Sequence, residues 1–328
     1  MSTVSVRRPP TQAAVLPAWA ALTVAGLGGL TAAVQSVANA ELGERVDNPA
    51  LAGVINNVGG SLVLIAALLV VPSIRAGLAV LPRAGLPWWA YLGGLGGACI
   101  VLAAAYVVPV LGVAAFTIAQ VTGNSVGGLA VDRVGLGPVG RLSLSGPRVA
   151  GAALGVLAVA LAHAGQPIGD LALGAVLFAV LGGAAVALQA ALNGRIAAVA
   201  GAAAGTAVNF AVGTPAVIAV AAALGAFARL DAIRWPTDWY LYAGGLLGVA
   251  IVLVLQLAVR SVGVLRTGLA IVAGQLGGAL LLDAVLPGGP GVSVPVLAGA
   301  LLTFAAVVVS GRGGRSAIGA RRSGTLGR

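Results

Sequence analysis

Residues 34–42 read VQSVANAEL and residues 188–196 read LQAALNGRI; residues 53–61 read GVINNVGGS and residues 206–214 read TAVNFAVGT. Gln35, Asn39 and Asn56 of the first half therefore recur as Gln189, Asn193 and Asn209 of the second. Each pair is embedded in apolar sequence, where an amide side chain is costly unless it is hydrogen-bonded. Within each half the glutamine and the first asparagine are four residues apart, so they share one helix face. Matched polar groups in two apolar halves imply a duplicated membrane unit with a polar site between the copies. Secondary transporters are commonly built this way.

The repeat extends beyond the amides. Residues 86–132 laid on 237–283, an offset of 151, agree at 18 of 47 positions. Trp88 meets Trp239, Tyr91 meets Tyr242, Gly123 meets Gly274 and Asp132 meets Asp283. An Ala/Gly/Val/Leu-rich composition raises such scores, but it does not explain matched Trp, Tyr and Asp. Asn124 and Gln275 also correspond, each one residue after its glycine. The offset is 154 at Gln35/Gln189 and 153 at Asn56/Asn209, a drift expected from small length changes in loops.

Composition agrees with a membrane setting. Of 328 residues 59% are hydrophobic and 8% charged, whereas a soluble domain carries about 25% charged residues. The net charge is +10 and all 18 basic residues are arginine, which excludes a P-loop or Schiff-base lysine. The arginines sit in short gaps and in the C-terminal tail, so the basicity does not indicate nucleic acid. A single cysteine, Cys99, and a single histidine, His163, cannot form a disulfide framework or a closed zinc site. No cofactor is implied.

About 20 apolar residues are needed to cross a bilayer. Ten stretches qualify: 17–38, 50–72, 88–107, 111–131, 148–165, 170–190, 203–226, 239–258, 263–283 and 294–311. The first is too long for a signal-peptide core and reads as an uncleaved helix. The break between the third and fourth is placed at Val108-Pro109, and its counterpart at Arg260-Ser261 is expected to be a loop. The expected fold is an all-α polytopic membrane protein of ten transmembrane helices, arranged as two inverted five-helix repeats. Residues 1–16 would form a cytoplasmic tail, 17–165 the first repeat, 166–311 the second, and 312–328 a disordered Arg/Gly-rich tail. Five crossings per unit is an odd number, so the second copy must enter from the opposite face. With the N-terminus inside, fifteen arginines face the cytoplasm and three (Arg45, Arg229, Arg234) face outward, which places both termini inside.

The candidate substrate-binding residues are Gln35, Asn39, Asn56, Asn124, Gln189, Asn193, Asn209 and Gln275. Amides offer both donors and acceptors and suit neutral or zwitterionic ligands. The competing reading is interhelical glue, worth about 0.6–2 kcal/mol per contact. The pairs Gly93xxxGly97/Gly244xxxGly248 and Gly123xxxGly127/Gly274xxxGly278 read as close helix packing. All eight acidic residues fall in gaps or at span ends, with no mid-membrane carboxylate for proton coupling; Asp132 and Asp283 read as interfacial caps. Trp88, Trp89, Trp235, Trp239, Tyr240 and Tyr242 form interfacial belts.

Together the Q-x-x-x-N turns at Gln35–Asn39 and Gln189–Asn193, the N-F-x-x-G-T run at Asn209–Thr214 and the G-Q…D stretch at Gly274–Asp283 resemble the drug/metabolite transporter superfamily, and within it the YdcZ-like family. The first half departs from the pattern, since Asn56-Asn57-Val58-Gly59-Gly60-Ser61 lacks the phenylalanine and Asn124 replaces the glutamine. The resemblance implies small-molecule transport at the bacterial inner membrane, by a fused pair of five-helix units covering residues 17–311, with a homodimer left open. A non-transporting scaffold and a flippase of a lipid-linked molecule are the alternatives. A membrane-embedded enzyme is disfavoured by the lack of Asp/Glu clusters, lysine, or paired His or Cys.

Overall fold

A computed structural model describes residues 16–137, 141, 144–162, 164, 170–228, 230–285 and 292–312. His163 and the tail beyond Arg312 lie outside the described residues. Among those described, all regular structure is helical. The α-helices run α1 Ala18–Arg45, α2 Pro49–Val70, α3 Pro72–Val80, α4 Gly94–Leu111, α5 Val113–Val134, α6 Gly146–Ala162, α7 Asp170–Ala200, α8 Ala202–Ala223, α9 Gly244–Val285 and α10 Val294–Arg312. Short 3-10 turns precede α4 (Trp88–Gly93) and α9 (Trp239–Tyr242). Five helical stretches are long and apolar enough to cross a membrane: Ala18–Arg45, Pro49–Val70, Trp88–Leu111, Ala172–Ala200 and Ala202–Ala223.

Local chemistry sets the helix ends. Asn48 caps α2, its side chain accepting from the Leu51 N–H at 3.0 Å, and Pro49 occupies the first helical position, where no N–H is needed. Gly112, at φ 78°, separates α4 from α5. The break is therefore three residues later than expected. Pro109 is accommodated in the last turn of α4, whereas the positive φ at Gly112 is the step an L-residue resists. The Asp283 carboxylate accepts from the N–H groups of Val113 (3.1 Å) and Ala114 (2.8 Å) and so caps α5. This is the capping role expected of it.

Residues 239–258 and 263–283, expected as two helices joined by a loop at Arg260-Ser261, lie in one helical stretch that begins at Gly244. A straight helix would put Gly248 and Gly278 about 45 Å apart at 1.5 Å per residue. Yet Gly248 lies against Gln35 and Gly278 against Leu30 and Ala33, neighbouring turns of α1. Likewise Val254 touches Gly28 while Ala270 touches Gly26. The stretch thus folds back between Val254 and Ala270, and its two arms run along α1 in opposite directions. The reversal stands, with helical structure running close up to it on both sides.

The first half mirrors this arrangement. There α4 and α5 straddle α7: Gly96 and Gly97 lie on Gln189, Gly123 on Val180 and Gly127 on Ala184. So α1 is clasped by the arms of α9, and α7 by α4 and α5. Between them α2 and α8 cross antiparallel, with Gly53 near Val217, Gly60 on Phe210, and the Ser61 and Thr214 hydroxyls 2.7 Å apart. Ser61 and Thr214 are themselves matched positions of the repeat. Further out, α6 packs on α10 where Gly299 meets Ala158 and Ala162. The buried core is largely alanine and valine, as close helix contact requires. Leu173, Leu177 and Leu181 stand exposed on one face of α7, an i, i+4 apolar stripe.

Candidate functional site

The amides from α1 and α2 form one cluster. Gln35 Nε2 donates to Asn56 Oδ1 at 3.2 Å and to the Gly244 carbonyl at 2.8 Å. That backbone acceptor fixes which end of the Gln35 amide is the nitrogen. Asn39 is 2% exposed and Asn56 3%. The N-terminal arm of α9 covers them with Gly244, Gly245 and Gly248. A Cβ on Gly244 would fall 2.5 Å from Asn56 Oδ1 and 2.6 Å from Asn39 Oδ1, and one on Gly248 would fall 2.7 Å from Gln35 Nε2. Glycine is required here because amide side chains fill the space a methyl would take.

The second cluster repeats the first. Asn209 Oδ1 accepts from Gln189 Nε2 at 2.8 Å and from Asn193 Nδ2 at 2.9 Å. The covering glycines are Gly93, Gly94 and Gly97 of the first half, with the Gly93 Cβ position falling on Asn193 Oδ1. In each cluster one buried acceptor lacks a hydrogen-bond partner among the described residues, Asn39 Oδ1 in one and Asn193 Oδ1 in the other. These are matched positions. Buried acceptors are seldom left without a donor, and here the exception occurs twice.

The clusters lie toward opposite ends of the bundle. Because α2 is antiparallel to α8, and each follows its predecessor through a tight turn, α1 and α7 also run in opposite directions. Asn39 and Asn193 both lie in the C-terminal parts of these two helices. Nearer the middle, Gln275 Nε2 donates to Gln120 Oε1 at 2.8 Å, joining α9 to α5. Gln275 sits beside Gly29, and Gln120 beside Gly183. Each glycine is ten residues before the asparagine of its own helix, about 15 Å along the axis. The eight candidates are thus not gathered into one cavity. Six form two triads, Gln275 is buried at the centre, and Asn124 has an exposed side chain. Gln120, which has no amide counterpart in the repeat, supplies the partner of Gln275. Sequence reasoning missed that pairing, as well as the service of the glycine pairs to the triads; the 151-residue offset of the glycine pairs was the available signal for the second, and nothing in the repeat points to the first.

The rims differ. Beside Asn39, Arg45 donates to Asp238 and to Glu41, and Tyr240 donates to Glu41 at 3.0 Å. Beside Asn193, Arg195 lies 4.8 Å from the Trp89 ring centre and donates to the carbonyls of Leu136 (2.6 Å) and Gly135 (2.9 Å). Arg195 matches Glu41 in the repeat and Trp89 matches Tyr240, so one geometry carries opposite charge at the two ends.

The sequence model of a family described as "Putative inner membrane exporter, YdcZ" matches residues 20–161 and again residues 174–309. No curated protein matches the chain.

Proposed function

The chain belongs to the YdcZ family of inner membrane exporters, and from that premise we propose that it moves a small polar or drug-like molecule across the membrane by alternating access. It is a multi-pass membrane protein. In this reading residues 17–165 and 166–311 are two inverted five-helix repeats making ten crossings, with both termini cytoplasmic. The antiparallel crossing of α2 and α8 and the opposed courses of α1 and α7 support the inversion. The arginine distribution supports the orientation, which sets the Asn193 triad toward the cytoplasm and the Asn39 triad outward.

The observation that carries the reading is the pair of equivalent amide triads, each held by one half and covered by glycines of the other. Rocking the halves apart at one end uncovers one triad while the other stays shut. Gln35, Asn39 and Asn56 then form the outward half of the substrate path, and Gln189, Asn193 and Asn209 the inward half. Gln275 with Gln120 is the polar step between them, and Asn124 is the weakest member of the set. A small-molecule substrate and the bilayer are the partners; a homodimer is compatible with the fused halves and not required by them.

The test is transport in proteoliposomes by the Gln35→Ala/Gln189→Ala double variant. Normal expression with transport reduced at least about tenfold is expected. Undiminished transport would sink the proposal. The hydrogen bonds within each triad favour a second reading, helix glue in a non-transporting scaffold. There the wild type moves none of the compounds offered, and the variant's only effect is on thermal stability.

A further inference from the structure

We propose that the Asn193 end holds a binding site for an anionic amphiphile with an N–H donor, in the chemical class of an N-acyl amino acid. The proposal rests on the transport reading and names the substrate class of its inward half. Between α4 and α7 lies a half-open groove of about 360 Å³. Trp89, Leu92, Leu95, Leu188 and Leu192 supply apolar walls, with Leu136 beside Arg195. Such walls take an apolar chain.

Two polar features adjoin this cavity, and both select what the chain carries. Gly93 is part of its lining, and behind Gly93 lies Asn193 Oδ1, the buried acceptor without a donor. Only a residue lacking a side chain separates the two. A small outward movement of α4 from α7 therefore opens the oxygen to the cavity, where an N–H or O–H of the occupant can take the place of water on it. Asn193 Nδ2 is already committed to Asn209, so the amide presents its acceptor.

The second feature is Arg195, stacked on Trp89, which itself lines the cavity. Its positive charge disfavours an ammonium head and favours a carboxylate. An acyl chain among the leucines, an amide N–H on Asn193 Oδ1 and a carboxylate near Arg195 satisfy all three features with one molecule. At the Asn39 end the residue matching Arg195 is Glu41, and the guanidinium beside it, Arg45, is already paired with Glu41 and Asp238, so the anionic end of such a molecule is held less well at that face.

The experiment uses the full chain in nanodiscs and two radiolabelled probes, N-decanoylglycine and its N-methyl analogue N-decanoylsarcosine, in which a methyl group replaces the donor hydrogen. Wild-type protein should bind the glycine compound saturably and about tenfold more tightly than the sarcosine compound, the ratio expected for one hydrogen bond. Asn193→Ala should abolish that preference. Leu95→Trp, at a 45% exposed position on the cavity wall, should abolish binding of both. Leu246→Trp, its exposed counterpart at the other end, should leave binding unchanged and guards against a folding artefact. Equal affinity of wild type for the two probes overturns the proposal, as does undiminished binding to Leu95→Trp. If the probes bind as expected but are never transported, the transport reading fails and the site stands. If they do not bind while another compound's transport needs Gln35 and Gln189, the site fails and the transport reading stands.

Discussion

The Asn39 end and the Asn193 end are built from corresponding residues down to their unsatisfied acceptors, yet their rims have opposite chemistry. Under the rim each has a Gln–Asn–Asn triad pressed against a glycine pair from the other half. At the rim one end has Glu41, Arg45, Asp238 and Tyr240 in an exposed hydrogen-bonded group, and the other has Arg195 between Trp89 and two carbonyls. The part buried at the helix crossings is symmetric, and the part exposed at each end is not. Under the transport reading proposed above, that division would let the two ends meet a cargo with different affinity.

The strongest way to break the comparison is to attack the shared part. A Cβ on Gly94 would fall 2.5 Å from the Gly213 nitrogen, and one on Gly245 2.5 Å from the Asn56 carbonyl oxygen. Backbone cannot yield as a flexible side chain can. Gly94→Val and Gly245→Val should each cost about 3 kcal/mol or more, seen as lost folded yield or a large fall in melting temperature. Gly128→Ala and Gly174→Ala, where a Cβ meets nothing within 4 Å, should be nearly silent. A severe loss at one of the two crowded glycines and none at the other would mean that the halves are not equivalent in packing.

Helix capping gives the next largest effect. Asp283→Ala leaves the Val113 and Ala114 N–H groups without their acceptor, and unsatisfied buried donors cost about 1–3 kcal/mol each. A loss of about 2 kcal/mol in thermal unfolding is expected, with Asp283→Asn intermediate because one amide oxygen still accepts. The repeat sets Asp132 against Val264 and Leu265 as Asp283 is set against Val113 and Ala114. Asp132→Ala therefore measures how far the second clasp resembles the first. A loss well below that of Asp283→Ala would show that the α9 reversal does not depend on this cap.

Much of this was legible in the sequence because the repeat supplies its own control. The 151-residue offset located the two clasps, and the Asp47-Asn48-Pro49 signals located the turn between α1 and α2. What the sequence obscured has physical causes. A hydropathy span sees apolar length, so it ended α1 at residue 38, whereas the helix continues to Arg45 through the Glu41–Arg45 pair one turn apart. Arg260-Ser261 resembles a loop by polarity, and the chain does reverse between Val254 and Ala270, but helical structure runs close up to the reversal on either side. In the site, correspondence in the repeat identified the triads but could not foretell partners across the crossing. Asn124 matches Gln275 in sequence, and Gln120 meets it in space.

Within the triads the single variants sharpen the comparison. Gln35→Ala removes donation to Asn56 and to the Gly244 carbonyl, while Gln189→Ala removes donation to Asn209 alone among the described residues. Each should cost about 1 kcal/mol of stability, near the value for interhelical hydrogen bonds in membranes, with Gln35→Ala the larger. The reverse order would mean that the Gly244 contact contributes little.

The smallest effects belong to the rim. Arg45 is exposed, as are its partners in part, and exposed ion pairs contribute about 0–1 kcal/mol. Arg45→Gln should therefore leave the melting temperature almost unchanged at high salt and lower it slightly at low salt, since screening already weakens the pair in the wild type. Arg195→Gln behaves differently, because its neighbours are two carbonyls and a ring rather than carboxylates. Its modest cost should not vary with ionic strength. If both variants respond to salt alike, the rims are electrostatically equivalent and the difference between the two ends must be sought elsewhere. If only Arg45→Gln responds, the two ends differ in the property that would decide where an anionic cargo is taken up and where it is let go.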